Sequence, residues 1–229
     1  MSKIEDFQKT INVQFKNLDL LEQVFVHRSY LNENPGFKLD HNERLEFLGD
    51  AVLELVTTEY LYSNFPNPEG ELTNWRSALV KGERISQVAA ELGLNDYLYL
   101  SKGEAQSIGK SRQLILANTF EALIGAIFLD QGYASAQDFI TKNLLKYTNE
   151  IIEKKLYRDA KSSLQEISQD KYSITPNYSL ISESGPDHDK IFVIGVNIGE
   201  NLVGQGKGSS KQEAEQDAAK NALEKIDLA

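Results

Sequence analysis

Three acidic side chains in the segment HNERLEFLGD (41–50) have a spacing that suits chemistry at a metal ion. On a helix that turns about 100° per residue, Glu46 and Asp50 lie about 60° and about 20° from Glu43, so all three share one stripe. Like charges on one stripe repel each other unless a cation lies among them, and a hard divalent ion prefers oxygen ligands. The spacing is therefore compatible with a divalent metal site.

A fourth acid, Glu121, lies in the apolar segment LANTFEALIGAIFLDQG (116–132), and Asn118 is on the same helix face three residues earlier. A carboxyl group in an apolar helix is costly to bury unless it is paired or bound to metal. Two helices that direct oxygen ligands towards each other would form a closed site. Such a site could hold Mg²⁺, orient a water molecule and stabilise phosphoryl transfer.

The same acids admit a simpler interpretation. The stripe in 41–50 could be a solvated helix face with Arg44 or Lys81 as its partners, and Glu121 could be a buried acid satisfied by an arginine. Spacing alone does not decide between this interpretation and a metal site.

Composition excludes several other classes of site. The chain has 229 residues and no cysteine, so disulfides, thiolate zinc sites and cysteine nucleophiles are excluded. We find no secretion signal and no apolar run near the roughly 20 residues that span a bilayer, so we expect a cytoplasmic protein without membrane contact. The net charge of −10 argues mildly against nucleic acid, and any RNA binding must depend on a local patch.

The elements that would position these residues fall into two groups, with a charged linker near 153–160. Residues 1–155 are predicted to form a mainly α domain, and residues 159–228 a small α+β domain of order α-β-β-β-α. The predicted helices of the first domain are 43–62, 71–92, 113–129 and 134–154. The second domain is predicted to contain helix 159–169, strands 178–182, 190–197 and 200–206, and helix 210–226.

Several of these segments resemble one known family. HNERLEFLGDAVLELV resembles the signature of bacterial ribonuclease III, and the flanking segments VHRSY, PEGELTNWRSALVKGERI and LANTFEALIGAIFLDQG resemble that family in the expected order. DAKSSLQE, YSLISESGPDH and GQGKGSSKQEAEQDAA resemble a double-stranded-RNA-binding domain. The resemblance covers nearly the whole chain.

The resemblance implies an endoribonuclease that hydrolyses double-stranded RNA with Mg²⁺, for which Mn²⁺ could substitute. It implies a homodimer formed through the catalytic domain, products with 5′-phosphates and short 3′ overhangs, and roles in processing ribosomal RNA precursors and structured mRNA. Asp50, Glu121 and Glu43 match catalytic residues, Glu46 matches a further metal ligand, and Glu71 matches an acid that lines the cleft.

One position departs from the family, which usually has Asp where this chain has Asn118. An amide oxygen can still coordinate Mg²⁺ but lacks the charge. We expect weaker metal affinity with catalysis retained. The alternative is a catalytically weak or inactive protein that only binds double-stranded RNA.

The second domain would recognise the shape of A-form RNA across two minor grooves and the phosphates between them. The resemblance assigns this role to Gln165, Glu166, His188, Lys207, Ser210 and Lys211. The family often has two or three adjacent basic residues at the start of its last helix. Here Lys211 is followed by Gln212 and Glu213, so we expect weaker RNA binding with a shallower salt dependence.

The remaining conspicuous side chains are expected to have structural roles. We interpret His27 and His41 as caps or satisfied partners, because the acids suffice for the chemistry. The aromatic residues are more typical of core or dimer packing than of a platform that stacks bases; they are Phe47, Tyr60, Tyr62, Phe65 and Trp75.

Overall fold

The computed structural model describes residues 3–157, 159–186 and 190–227. The chain divides into two compact units, Met1–Tyr157 and Arg158–Ala229. Their bounds are close to those of the predicted domains, 1–155 and 159–228. His188 lies outside the described residues.

The described part of the first unit is mainly helical. It contains ten α-helices and short 3₁₀ helices at Leu94–Tyr97 and Leu145–Tyr147, and an isolated bridge joins Val26 to Tyr99. The α-helices are α1 (Lys3–Ile11), α2 (Leu18–Val24), α3 (Arg28–Glu33), α4 (Glu43–Asn64), α5 (Glu69–Leu79), α6 (Gly82–Glu91), α7 (Lys102–Ala105), α8 (Gly109–Gln131), α9 (Tyr133–Asn143) and α10 (Thr148–Glu153).

Helix α8 is the centre of this unit. Eleven of its residues are buried, including a continuous run from Ala122 to Ile127, because helices pack around most of its circumference. By length and composition α8 could span a membrane, which corrects the expectation that no apolar run approaches that length. In its most apolar stretch 61% of the residues are buried inside the protein, as in a central core helix.

Two predicted helices are divided in the structure. The predicted helix 71–92 is α5 followed by α6, with a break at Val80–Lys81 just before Gly82, a residue of low helix propensity. The predicted helix 134–154 breaks at Leu144 into α9, a 3₁₀ turn and α10. Leu144 and its neighbour Leu145 are both buried, and the tighter turn allows both to face the core.

The second unit has the predicted order α-β-β-β-α. Helix α11 (Ala160–Tyr172) precedes the antiparallel strands β1 (Asn177–Ser184), β2 (Ile191–Ile198) and β3 (Asn201–Gly208), and α12 (Lys211–Asp227) follows. Both helices pack together, and α12 covers β2 and β3. The core consists of small and medium side chains; it includes Leu164, Val196, Ile198, Ala218, Ala219 and Ala222.

Candidate active site

Helices α4 and α8 cross in direct backbone contact. A Cβ atom added to Gly49 would lie 1.7 Å from the carbonyl oxygen of Glu121, and one added to Gly125 would lie 2.2 Å from that of Leu45. Only glycine permits this approach at the two positions. The crossing brings the start of α4, with Glu46 and Asp50, against the turn of α8 that contains Glu121.

Glu121 has the most strongly perturbed carboxyl group of the site. Burial raises the pKa of Glu121 to about 7, and the negative charges of Asp50 and then Glu46 add to the increase. Its neighbours on α8 are buried apolar residues, so the charged form loses solvent on that side. A carboxyl group with this pKa can exchange a proton near neutral pH.

Glu46 belongs to the same electrostatic cluster. Burial raises the pKa of Glu46, and the charges of Glu43 and Asp50 raise it further. In the described part of the chain, no ion pair joins Glu46, Asp50 or Glu121 to a lysine or arginine. The predicted stripe of acids is thus a cluster of carboxylates that destabilise each other's charged forms.

Glu43 lies at the outer end of the stripe and has two nitrogen-bearing neighbours, the guanidinium of Arg28 and the imidazole of His41. Its Oε1 atom is 3.3 Å from Nη1 of Arg28, and its Oε2 atom is 3.7 Å from Nδ1 of His41. Arg44 and Lys81, the partners that a solvated face would have used, do not pair with it; Lys81 lies 3.6 Å from Glu83.

The donor set fits a hard divalent cation by its chemistry. Carboxylates of Asp50 and Glu46 on α4 act on the half-buried Glu121 of α8, and a cation would remove the repulsion that helps to raise its pKa. Asn118 lies half-buried one turn before Glu121 and could add a neutral amide oxygen. Within the described residues, no three His, Asp or Glu side chains are gathered closely enough to chelate an ion as they stand.

Glu71 does not join this cluster within one chain. It lies exposed on α5, where its Oε2 atom accepts a hydrogen bond of 2.9 Å from Nδ2 of Asn67. It is not among the charges that shift the pKa of Glu46 or Glu121.

The described RNA-binding candidates all lie on the second unit. Gln165 and Glu166 are exposed on α11, Lys207 is exposed on β3, and Ser210 and Lys211 are exposed at the start of α12. Their exposure leaves them accessible to a ligand as large as duplex RNA.

The start of α12 is closed by a carboxylate. Oε2 of Glu213 accepts hydrogen bonds from the backbone N–H (3.0 Å) and the hydroxyl (2.6 Å) of Ser209. The hydroxyl oxygen of Ser210 accepts a 3.2 Å hydrogen bond from the N–H of Glu213 in return. This pattern is a variant of the capping box in which the carboxylate accepts from Ser209, one residue before Ser210, and it places a negative charge where a phosphate would meet the helix end.

Two family matches agree with this division. Residues 17–148 match the family described as Ribonuclease-III-like, and residues 160–226 match the Double-stranded RNA binding motif. The chain belongs to the ribonuclease III family. Its activity is endonucleolytic cleavage of double-stranded RNA, and the reaction of this family depends on a metal ion.

Relatives of this ribonuclease III extend over nearly its whole length. Ribonuclease 3 of Borreliella burgdorferi is 42% identical over 227 residues, which cover 99% of this chain and 92% of that protein. Ribonuclease 3 of Protochlamydia amoebophila is 46% identical over 93% of this chain and 88% of that protein. The nuclease domain of ribonuclease III from Campylobacter jejuni has a TM-score of 0.57 and 37% identity, and the match covers 64% of this chain and 96% of that structure.

Sequence reasoning missed three parts of this ribonuclease III site. Gly49 and Gly125 carry no chemistry but allow the helices to touch, and their signal was a glycine inside each of two long apolar helices. Arg28 lies 15 residues before Glu43, and no helix periodicity relates the two. His27 was correctly interpreted as a cap, because its side chain accepts a hydrogen bond from the N–H of Ser29 at the start of α3.

Proposed function

We propose that Glu46, Asp50, Asn118 and Glu121 hold Mg²⁺ at the crossing of α4 and α8, with Mn²⁺ as a possible substitute. The observation that supports this proposal is the raised pKa of Glu121, caused by burial and by uncompensated neighbouring carboxylates. When bound, the ion would neutralise that charge and activate a water molecule. Glu43 then extends the acidic lining of this site, and we expect Glu71, which lies outside the carboxylate cluster within one chain, to line the wider cleft.

The protein's own residues align the reactants. Asp50 and Glu121 accept hydrogen bonds from the attacking water and direct it at the scissile phosphorus. As the bond from phosphorus to the water oxygen forms, the bond to the 3′-oxygen breaks; the proton lost by the water is balanced by the one that the 3′-oxygen takes up to leave as a hydroxyl, and the phosphate remains on the 5′ end of the product. The half-buried position of Glu121 limits bulk water around the reacting groups.

The decisive experiment compares the full chain with Asp50→Asn on a long RNA duplex, with Mg²⁺ or with EDTA. We expect short duplex products that require both Mg²⁺ and Asp50. RNA that remains intact but is retarded on a gel would leave only duplex binding. Cleavage by Asp50→Asn at the wild-type rate would place the active site elsewhere.

Asn118 is proposed to lower metal affinity while catalysis is retained, because its amide oxygen is neutral. Asn118→Asp should therefore shift the Mg²⁺ dependence of cleavage to lower concentration. The Mg²⁺ dependence of thermal unfolding, followed by Trp75 fluorescence, gives a second readout that requires no RNA. Superimposable Mg²⁺ curves for the two proteins would contradict the proposal.

We also propose a homodimer formed through α4 and α5. The Phe47 side chain is 82% exposed beside Glu46, and Tyr62 is 81% exposed near the other end of α4. A cavity of about 630 Å³ between α4 and α5 is lined by apolar side chains that include Leu61, Phe65 and Leu72. In a two-fold dimer, Phe47 of each copy could enter this cavity of the other.

Sedimentation of Phe47→Ala tests the dimer. Removal of an exposed aromatic side chain should leave the protomer folded but weaken association by at least about tenfold, since buried aromatic anchors dominate interfaces. Leu129→Ala is the control, because it also removes an exposed apolar side chain but from α8, which is not part of the proposed interface. A wild-type protein that is monomeric at micromolar concentration would refute this arrangement.

For biological role, we propose cytoplasmic processing of ribosomal RNA precursors and structured mRNA, supported by the family membership. Depletion of the protein should cause precursor ribosomal RNA to accumulate, with duplex ends that the purified enzyme can trim. Unchanged precursor levels would contradict this role, and cell fractionation would test the location.

A further inference from the structure

Arg28 is the cation in contact with the acidic stripe. Its guanidinium lies 3.3 Å from Oε1 of Glu43, and no other lysine or arginine in the described residues pairs with Glu43, Glu46, Asp50 or Glu121. Every other charge that acts on Glu46 and Glu121 is negative. Among the described residues, Arg28 is therefore the arginine or lysine that pairs directly with this acidic surface.

The ion pair of Arg28 with Glu43 is largely exposed to solvent. The side chain of Arg28 is 67% exposed and that of Glu43 is 44% exposed. Exposed pairs of this kind contribute little to the free energy of folding. One contact also leaves most of the five guanidinium donors available, and their planar arrangement matches the oxygens of a phosphate. Arg28 can therefore change partners at little cost.

The backbone that carries Arg28 is fixed even though its side chain is exposed. His27 caps α3, with Nδ1 accepting from the N–H of Ser29 at 3.3 Å and lying 2.8 Å from its hydroxyl. The Ser29 hydroxyl also accepts a 3.1 Å hydrogen bond from the N–H of Ser101. Arg28 thus projects from an anchored turn, and only its side chain has to move.

Electrostatic interactions connect the charged groups in succession. Arg28 contacts Glu43, Glu43 acts on Glu46, and Glu46 and Asp50 both act on Glu121. The proposed ion would lie beside Glu121, whereas Arg28 contacts the acid at the other end of this succession. A phosphate held by Arg28 would therefore be a different one from the scissile phosphate at the ion.

We propose that Arg28 binds an RNA backbone phosphate other than the scissile one, and that this phosphate replaces Glu43 as its partner when RNA binds. This inference rests on the active site proposed above. It makes Arg28 a substrate-binding residue and Glu43 the group that holds it in the free enzyme.

The test measures binding of duplex RNA by the full chain in EDTA, where no cleavage occurs, over a range of KCl concentrations. Arg28→Ala should weaken binding about three- to tenfold and reduce the slope of log K against log salt by about one phosphate contact. Arg28→Lys should retain the slope and part of the affinity, because it keeps the charge but loses the planar fork. Lys142→Ala, which removes an exposed paired cation from α9, should change neither quantity.

Glu43→Gln provides the opposite test, because it releases Arg28 from its competitor. It should tighten RNA binding in EDTA about two- to threefold, even though cleavage in Mg²⁺ decreases. The tightening should disappear when Arg28→Ala is combined with it.

Wild-type affinity and salt slope in Arg28→Ala would overturn the proposal, and a lower kcat alone would then make Arg28 a residue that only positions Glu43. Because binding is measured without cleavage, this outcome is separate from the result for Asp50→Asn. Thermal unfolding of each variant, followed by Trp75 fluorescence, establishes that the protein is folded, and Arg28→Lys gives a readout if Arg28→Ala is not.

Discussion

The two units would present different charges to the phosphates of double-stranded RNA. At the crossing of α4 and α8 the nuclease unit (Met1–Tyr157) presents carboxylates, with Arg28 at their edge. At the start of α12 the RNA-binding unit (Arg158–Ala229) presents a helix end with Ser210 and Lys211. The first surface repels phosphates, except at its edge where Arg28 lies, until a cation neutralises its carboxylates, whereas the second offers a helix end beside Lys211 without a bound cation.

The two surfaces nevertheless depend on the same kind of backbone contact. Gly49 allows α4 to touch α8, and Gly206 allows β3 to touch α12, where an added Cβ would lie 2.0 Å from the N atom of Ala218. In each unit a glycine brings two elements close enough to define a functional surface. The units should therefore fail separately when one glycine is replaced.

The largest effect is expected for Gly49→Ala. The added methyl group would overlap the backbone of Glu121, so the helices must separate or the unit unfolds, at a cost of about 3 kcal/mol or more. Fluorescence of Trp75, the single tryptophan and a buried residue of the nuclease unit, should show a lowered unfolding temperature, and cleavage should be lost. Gly70→Ala, in an open position on α5, is the control and should be neutral or slightly stabilising.

Gly206→Ala should have the reciprocal effect. We expect RNA affinity at low salt to fall at least about tenfold, because β3 and α12 can no longer pack at their present distance. The Trp75 transition should remain at the wild-type temperature, since this residue reports on the other unit. Ser179→Ala, on the exposed strand β1, is the control. A parallel shift of the Trp75 transition would mean that the units unfold together.

Glu121→Gln should change how the stability of the nuclease unit depends on pH, without affecting the RNA-binding unit. The pKa of Glu121 is raised to about 7, so its stabilising contribution is full below its unfolded value near 4.5 and is lost as the pH rises through 7. In EDTA at pH 8, the variant should therefore unfold roughly 2–6 °C above the wild type by Trp75 fluorescence, with no difference near pH 4. Mg²⁺ should reverse the order at pH 8, because only the carboxylate binds it well.

Glu224→Gln is the matched control for this pH test, as Glu224 is exposed on α12 in the other unit. It should leave the Trp75 transition unchanged at every pH. An equal difference between Glu121→Gln and the wild type at pH 4 and pH 8 would indicate a packing effect, and the charge argument would then be wrong.

The sequence predicted the acids better than their surroundings for a physical reason. Glu43, Glu46 and Asp50 share a stripe because helix geometry alone fixes their directions. The contact between Arg28 and Glu43 depends on how α3 packs beside α4, which no local pattern encodes. The break before Gly82 does have a local signal, the low helix propensity of glycine, but the apolar period continues through it and predicts one helix.

The fold of the second unit was predictable because alternating strands and the final helix leave strong local patterns. What its sequence did not reveal is the role of Glu213. A sequence comparison counts it only as a residue that is not basic, whereas the structure places its carboxylate on the N–H and hydroxyl of Ser209. These donors lie at the helix end that a phosphate would approach.

The smallest effect is expected for Glu213→Gln, which removes a single charge from the start of α12 and so tests the comparison of the two surfaces. Glutamine can keep the capping box, so α12 should remain folded while one negative charge leaves the phosphate-facing end. RNA binding in EDTA at low salt should tighten about two- to fivefold, and the gain should shrink as salt increases. Glu224→Gln removes the same charge from the far end of α12 and should have little effect. Equal affinities for Glu213→Gln and wild type would mean that RNA approaches the unit elsewhere, and that the capping carboxylate serves only the fold.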